Sequence, residues 1–264
     1  MLRALTTSDL PAATALLGRA GLASGVQNIA RYLAWQPDGA WGTFEGDELT
    51  GMVTLLHQGT VGFVGCMAVE PALHGKGIGR RLLDHAHASG RRAGIATFLL
   101  EATPLGEHLY GRLGYVAEYD SIILTREGPV AHDLPSITRA DHAAIFAIDE
   151  LSTGTRRSVM LGNLLAEHPG IAVSANGEIA GYGLAVSGRL GPVIARDPDV
   201  GRRLIETLFG ASTHLAVPAP NEVALAACTE VGFTEARRLR RMRLGAAIPV
   251  RVDWVWTLAS AGAG

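Results

Sequence analysis

The chain has 264 residues, 48% of them hydrophobic and 18% charged, with a formal net charge of −2 and a mean hydropathy of +0.21. That length suits two domains of about 100–150 residues each, and the near-neutral charge gives no electrostatic footprint for nucleic acid. No apolar run reaches the roughly 18 residues needed to cross a membrane, and two cysteines, Cys66 and Cys228, are too few for a disulfide framework.

Residues 2–5 read as a short strand. Ser8, Asp9 and Pro11 then start a helix that runs to about Arg19, with a hydroxyl cap, an acid in the first turn and an early proline. The opening residues lack a charged-then-apolar leader, so a cytoplasmic protein with reduced thiols is expected. A second helical pattern ends at Trp35, before Pro37. Residues 40–45 and 49–56 form a hairpin about Gly46 and Asp47, and residues 61–69 follow as an apolar strand interrupted by Gly62 and Gly65.

A glycine-rich loop, His74-Gly75-Lys76-Gly77-Ile78-Gly79, then delivers the chain directly to a helical pattern beginning near Arg80. The first N–H groups of a helix have no intrahelical partner and the helix dipole is positive there, so such an end binds anions. Glycines without a Cβ let the loop close on phosphate oxygens, with Lys76, the only lysine in the chain, and Arg80 and Arg81 beside it. A P-loop would need a hydroxyl residue after Lys76. A dinucleotide fingerprint would need glycine where Arg80 stands. The plain alternative is an ordinary glycine-rich connector.

A helix to about Ala93 and a strand over 96–102, parallel to the strand before it, lead to Thr103-Pro104-Leu105-Gly106-Glu107-His108-Leu109-Tyr110-Gly111-Arg112-Leu113-Gly114-Tyr115 and a strand over 116–125 that closes the first domain. A polar linker with two prolines occupies 127–137. The second half starts over at Thr138-Arg139-Ala140-Asp141, with helices near 142 and 158–167, a hairpin turning at Asn176-Gly177, a strand to Ile194, a helix over about 198–209, a strand over 214–217, a helix near 222–231 and a strand over 234–244. The repeated order marks a degenerate internal duplication of a domain at 1–126 in a domain at 138–250, with 251–264 as a tail.

The [Gln/Arg/His]-x-x-Gly-x-Gly pattern at 74–79, together with Thr103 to Tyr115, resembles the GNAT acyl-CoA N-acetyltransferases. Gly191-Pro192, Asp149, Gly154, Arg157, Arg241-Met242 and residues 221–233 resemble the carboxy-terminal half of tandem GNAT proteins. The resemblance implies an α/β (α+β) fold of two tandem mixed-sheet domains flanked by helices. It also implies a bulged and splayed strand in which Met67, Ala68 and Val69 pair with the pantetheine of acetyl-CoA and a backbone N–H near Met67 meets the oxyanion. His74, Gly75, Lys76, Gly77, Ile78, Gly79 and Arg80 would cradle the pyrophosphate, and Tyr110, four residues before Gly114, would protonate the leaving thiolate.

The implied reaction is direct attack of a primary amine, expected to belong to a small molecule, on acetyl-CoA. A non-catalytic acyl-CoA-binding regulator is the other reading. The base is open among Glu101, Glu107, His57, His108 and a water chain. Cys66 reads as packing, since direct transfer needs no covalent intermediate. Nine histidines show no metal-ligand spacing. In the second half Asp197, Pro198 and Asp199 replace the anion-binding glycines and Cys228 replaces the tyrosine, so this half is expected to hold no CoA, to shape the acceptor pocket and to offer a homodimer surface. Asp149 and Arg157 read as acceptor contacts or as stabilising charges, and the run Arg237 to Arg241 reads as a solvated face.

Overall fold

The computed structural model describes residues 1–128 and 134–264; residues 129–133, inside the expected linker, lie outside the described residues. The first half contains strands β1 (Leu2–Ala4), β2 (Ala40–Glu45), β3 (Glu48–Gln58), β4 (Val61–Val69), β5 (Thr97–Ala102) and β6 (Val116–Thr125). Its helices are α1 (Leu10–Arg19), α2 (Ala23–Trp35), α3 (Ile78–Arg92) and α4 (Pro104–Arg112). The second contains α5 (His142–Thr153), α6 (Ser158–Glu167), β7 (Gly170–Ala175), β8 (Glu178–Val186), β9 (Arg189–Ala195), α7 (Pro198–Leu208), β10 (His214–Pro218), α8 (Glu222–Glu230), β11 (Thr234–Leu244) and β12 (Val255–Thr257). The fold is mixed α/β, as the sequence implies.

One continuous mixed sheet runs through both halves in the order β1-β2-β3-β4-β5-β11-β6-β10-β9-β8-β7. Here the structure departs from the sequence reading. Strand β6 does not close its own half against β5. Instead β11 of the second half lies between them, antiparallel to both, and β6 pairs antiparallel with β10. Each half thus receives its last strand from the other. Strand order depends on pairings far apart in sequence, which residue periodicity does not encode.

Apolar faces explain the layers. On one side of the sheet Leu16 and Leu17 of α1, Ile29 of α2, Ile145 and Ile148 of α5 and Leu161 and Leu164 of α6 share one core that joins the halves. On the opposite side α3 and α4 pack through Leu82, Leu83 and Tyr110 in the first half, and α7 and α8 through Leu204, Ile205 and Cys228 in the second.

In both halves the central parallel pair is short and then diverges. Strands β4 and β5 pair only over Val61–Phe63 and Thr97–Leu99. Strands β9 and β10 pair only at Arg189 with His214 and Leu190 with Leu215. The second split is filled from within: β12 pairs antiparallel with β9, and Leu258 N–H donates to Ala216 O of β10 at 2.8 Å. The fully buried Trp256 lies so close to Gly201 of α7 that a Cβ there would overlap its ring. The expected tail is therefore a structural part of the second half.

Candidate active site

The first split opens into a cavity of about 830 Å³. Its walls come from both faces of the sheet: Leu105, Leu109 and Tyr110 of α4 on one side, and Leu22 and Gly25 of the α1–α2 region with Ala261 and Gly262 of the tail on the other. It is therefore a passage through the sheet, with Met67, Ala68 and Val69 of β4 along it and His74, Gly75, Gly77, Ile78, Gly79 and Arg80 at one mouth.

The loop geometry follows from its glycines. Gly75 has φ +80° and Gly77 has φ +76°, conformations that L side chains rarely adopt. Gly77 caps α3, and the first N–H to bond back is that of Arg81, to Gly77 O at 3.1 Å. The N–H groups of Ile78, Gly79 and Arg80 therefore carry no backbone bond among the described residues and face an electropositive helix end. His74 anchors the loop through a contact of 3.1 Å between its Nε2 and Val69 O. At Gly79 a Cβ would stand 3.0 Å from Met67 Cε, so a side chain there would crowd β4. Lys76 is exposed and lies outside the cavity lining, in an outer groove with Glu45, Arg81 and Asp84.

Strand β4 is bulged. Thr54 of β3 opposes Gly65 and Met52 opposes Ala68, so the register slips between them, and Cys66 takes φ +45°. Past Phe63 the side of β4 that faced β5 has no strand partner, which leaves backbone groups for a ligand to pair with.

Tyr110 sits on α4, which Thr103 caps by accepting a hydrogen bond from Gly106 N at 3.2 Å. Its ring packs edge-on against Tyr115 at 5.7 Å and is 7% exposed. The hydroxyl makes no hydrogen bond among the described residues, and burial raises its pKa, so the phenol keeps its proton at neutral pH.

Residues 14–115 match the family described as acetyltransferase (GNAT) family, and residues 145–256 match the acetyltransferase (GNAT) domain. This chain belongs to the GNAT acetyltransferases. It carries two GNAT domains in tandem. Comparison with curated proteins gives no match. A solved putative acetyltransferase from Pyrococcus horikoshii is similar over the whole chain, with TM-score 0.88, 24% identity and coverage of 100% of this chain and 95% of that one. A GCN5-related N-acetyltransferase from Sphaerobacter thermophilus has TM-score 0.64, 17% identity and coverage of 95% and 96%. Another from Anabaena variabilis has TM-score 0.60, 13% identity and coverage of 92% and 72%. At these identities the likeness is one of fold.

Within this GNAT frame the candidate bases separate. Glu101 lines the cavity, but its side chain is 0% exposed, with Oε1 accepting from Arg241 Nη1 at 3.2 Å. Burial raises its pKa, opposed by Arg241. Glu107 lies 4.0 Å from Arg240, and His57 is not among the lining residues. His108 lines the cavity and is exposed. The Cys66 thiol is pushed up to about 12 by burial, which keeps it protonated and agrees with a packing role. Among the described residues no group of metal-ligating side chains occurs.

The second GNAT domain lacks the anion cradle for a visible reason. Asp197 accepts from the N–H groups of Asp199 and Val200 at 2.8 and 3.3 Å, so its own carboxylate occupies the end of α7. Cys228 is buried with its thiol also pushed up to about 12. Asp149 and Arg157 form a buried pair with bonds of 2.8 and 2.7 Å, joined by the Tyr182 hydroxyl, which favours the structural role for both. The arginine run is only partly solvated. Arg237 and Arg238 are exposed, whereas Arg241 is buried against Glu101, because successive strand residues point to opposite faces of the sheet.

Sequence reasoning missed Ala261 and Gly262 as cavity walls. The turn that carries them is held by Tyr32 and Ser260 hydroxyls at 2.7 Å, by Gln58 donating to Ala263 O at 2.7 Å and by Arg157 donating to Gly264 O at 2.6 Å. The small-residue stretch Ala259 to Gly264 gave no periodic signal that could have found it.

Proposed function

We propose that this chain is an N-acetyltransferase that transfers acetyl from acetyl-CoA to the primary amine of a small molecule by direct attack, with residues 1–126 as the acyl-CoA-binding domain and 138–250 as the degenerate partner domain. The observation that carries this reading is the position of Tyr110: a protonated phenol without a partner, lining a passage that reaches both faces of the sheet. A donor on the loop side and an acceptor on the α1–α2 side then meet inside the split, where orientation supplies much of the rate.

The free N–H groups of Ile78, Gly79 and Arg80 and the Arg80 side chain fit a pyrophosphate, and the unpaired side of β4 at Met67, Ala68 and Val69 fits an amide-bearing arm. Tyr110 gives its proton to the departing thiolate. His108 and the solvent at the mouth receive the amine's proton, since the Glu101 carboxylate is closed off. A cytoplasmic setting agrees with two buried free thiols.

The test is thiol release from acetyl-CoA across a panel of amines, for the wild type and Tyr110→Phe, with CoA affinity measured alongside. Turnover should fall in the variant while CoA affinity holds. Binding without turnover on any amine would favour a regulator, and unchanged turnover in the variant would remove Tyr110 from the chemistry.

A further inference from the structure

Away from the cavity, at the seam between the halves, one side chain breaks the usual accounting for buried charge. Arg189, at the start of β9, is 6% exposed, and it forms no hydrogen bond and no ion pair among the described residues. A guanidinium stays charged, and a buried charge without a compensating partner costs several kcal/mol. The other buried arginines follow the rule: Arg157 is paired with Asp149 and Arg241 with Glu101.

The groups around Arg189 deepen the imbalance. His214 of β10 stands opposite it in the ladder. Arg31 of α2 reaches the same place, with its Nη2 donating to Ser187 Oγ at 2.8 Å in the turn just before Arg189. His168, after α6, is electrostatically coupled to both arginines. Among the described residues the carboxylate that pairs here is Glu167, 3.9 Å from Arg31 and 3.8 Å from His168 and half exposed. It acts on Arg31 and His168 rather than Arg189, which has Arg31, His168, His214 and the Tyr32 phenol around it. Among the described residues two buried nitrogens in the cluster, Arg189 Nε and His168 Nε2, have no hydrogen-bond partner.

We propose that Arg31, His168, Arg189 and His214 form a binding site for a small oxyanion of the phosphate class, separate from the acetyl-transfer cavity. Four elements from both halves, α2, the α6 end, β9 and β10, converge on it, and an anion there satisfies the buried donors and offsets the Arg189 charge. Its oxygens suit a guanidinium and imidazole nitrogens, and Ser187 adds a hydroxyl. Occupancy would tie α2 to the second half.

The test is thermal unfolding of the full chain in increasing inorganic phosphate, with sodium chloride holding ionic strength constant, and sulfate as a second probe. Phosphate also meets the loop at 74–80, but that contribution is common to wild type and variant and cancels in the comparison. At ten times the dissociation constant the wild type should gain about 3–6 °C more than Arg189→Met. Without phosphate, Arg189→Met should melt no lower than the wild type, because the substitution removes an uncompensated charge. Arg31→Gln provides a second variant and should reduce the phosphate response by at least half. Equal gains in the wild type and both variants would overturn the proposal, as would a wild type that responds to chloride as strongly as to phosphate.

Discussion

Glu101 of β5 and Arg241 of β11 stand directly opposite each other across the junction of the two halves, with Arg241 Nη1 3.2 Å from Glu101 Oε1 and both side chains almost fully buried. Glu101 lines the cavity, as do Arg237 and Leu239 of β11, so the exchange of β6 and β11 also fixes the wall of the site.

Breaking that pair should be costly. Arg241→Met leaves a buried carboxylate uncompensated and should lose about 3–5 kcal/mol of stability in urea unfolding; Glu101→Leu should lose less, because Arg241 Nε still lies 3.7 Å from Glu118 Oε2. The double replacement should recover most of the loss, because no unpaired charge then remains. Additive losses in the double variant would show that the two do not act as a pair.

The β12 plug gives a second prediction. Trp256→Ala removes a fully buried ring packed on Gly201 and should cost about 3–5 kcal/mol. Gly201→Ala, which drives a methyl into the same ring, should cost about 1–3 kcal/mol by overpacking. Calorimetric melting of both variants checks this, and a Gly201→Ala protein as stable as the wild type would mean that Trp256 packs elsewhere.

A third prediction concerns acid. Burial, with help from Arg91, holds the pKa of His87 down to about 4, and its Nε2 lies 2.8 Å from the Tyr115 hydroxyl. The unfolded chain takes up this proton near pH 6.5. The neutral histidine's contribution is therefore complete above about 6.5 and is lost as the pH falls towards 4. Urea midpoints measured from pH 7 to 4 should fall less steeply in His87→Gln than in the wild type, and parallel curves would contradict the assignment.

The parts of the molecule set by local chemistry were legible in the residues. The Gly46-Asp47 and Asn176-Gly177 turns and the glycine loop feeding α3 all depend on neighbours in sequence. What the sequence hid depends on distant partners. The insertion of β11 between β5 and β6, the burial of Arg241 within a run of arginines, and the closing of the cavity by Ala261 and Gly262 come from contacts between residues more than about 100 apart in sequence, such as Arg241 with Glu101 and Tyr32 with Ser260. Lys76, in the same loop, lines an outer groove that it shares with Ile78, Arg80 and Arg81.

The central claim is that acetyl-CoA docks in the first split alone. Isothermal titration of CoA into the wild type, Gly77→Asp and Asp197→Asn tests it most directly. We predict one CoA per chain in the wild type, no measurable binding in Gly77→Asp, where a strained backbone and an added negative charge meet the pyrophosphate, and unaltered affinity in Asp197→Asn. Two CoA molecules per chain, or full-strength binding that survives Gly77→Asp and is lost in Asp197→Asn, would contradict it.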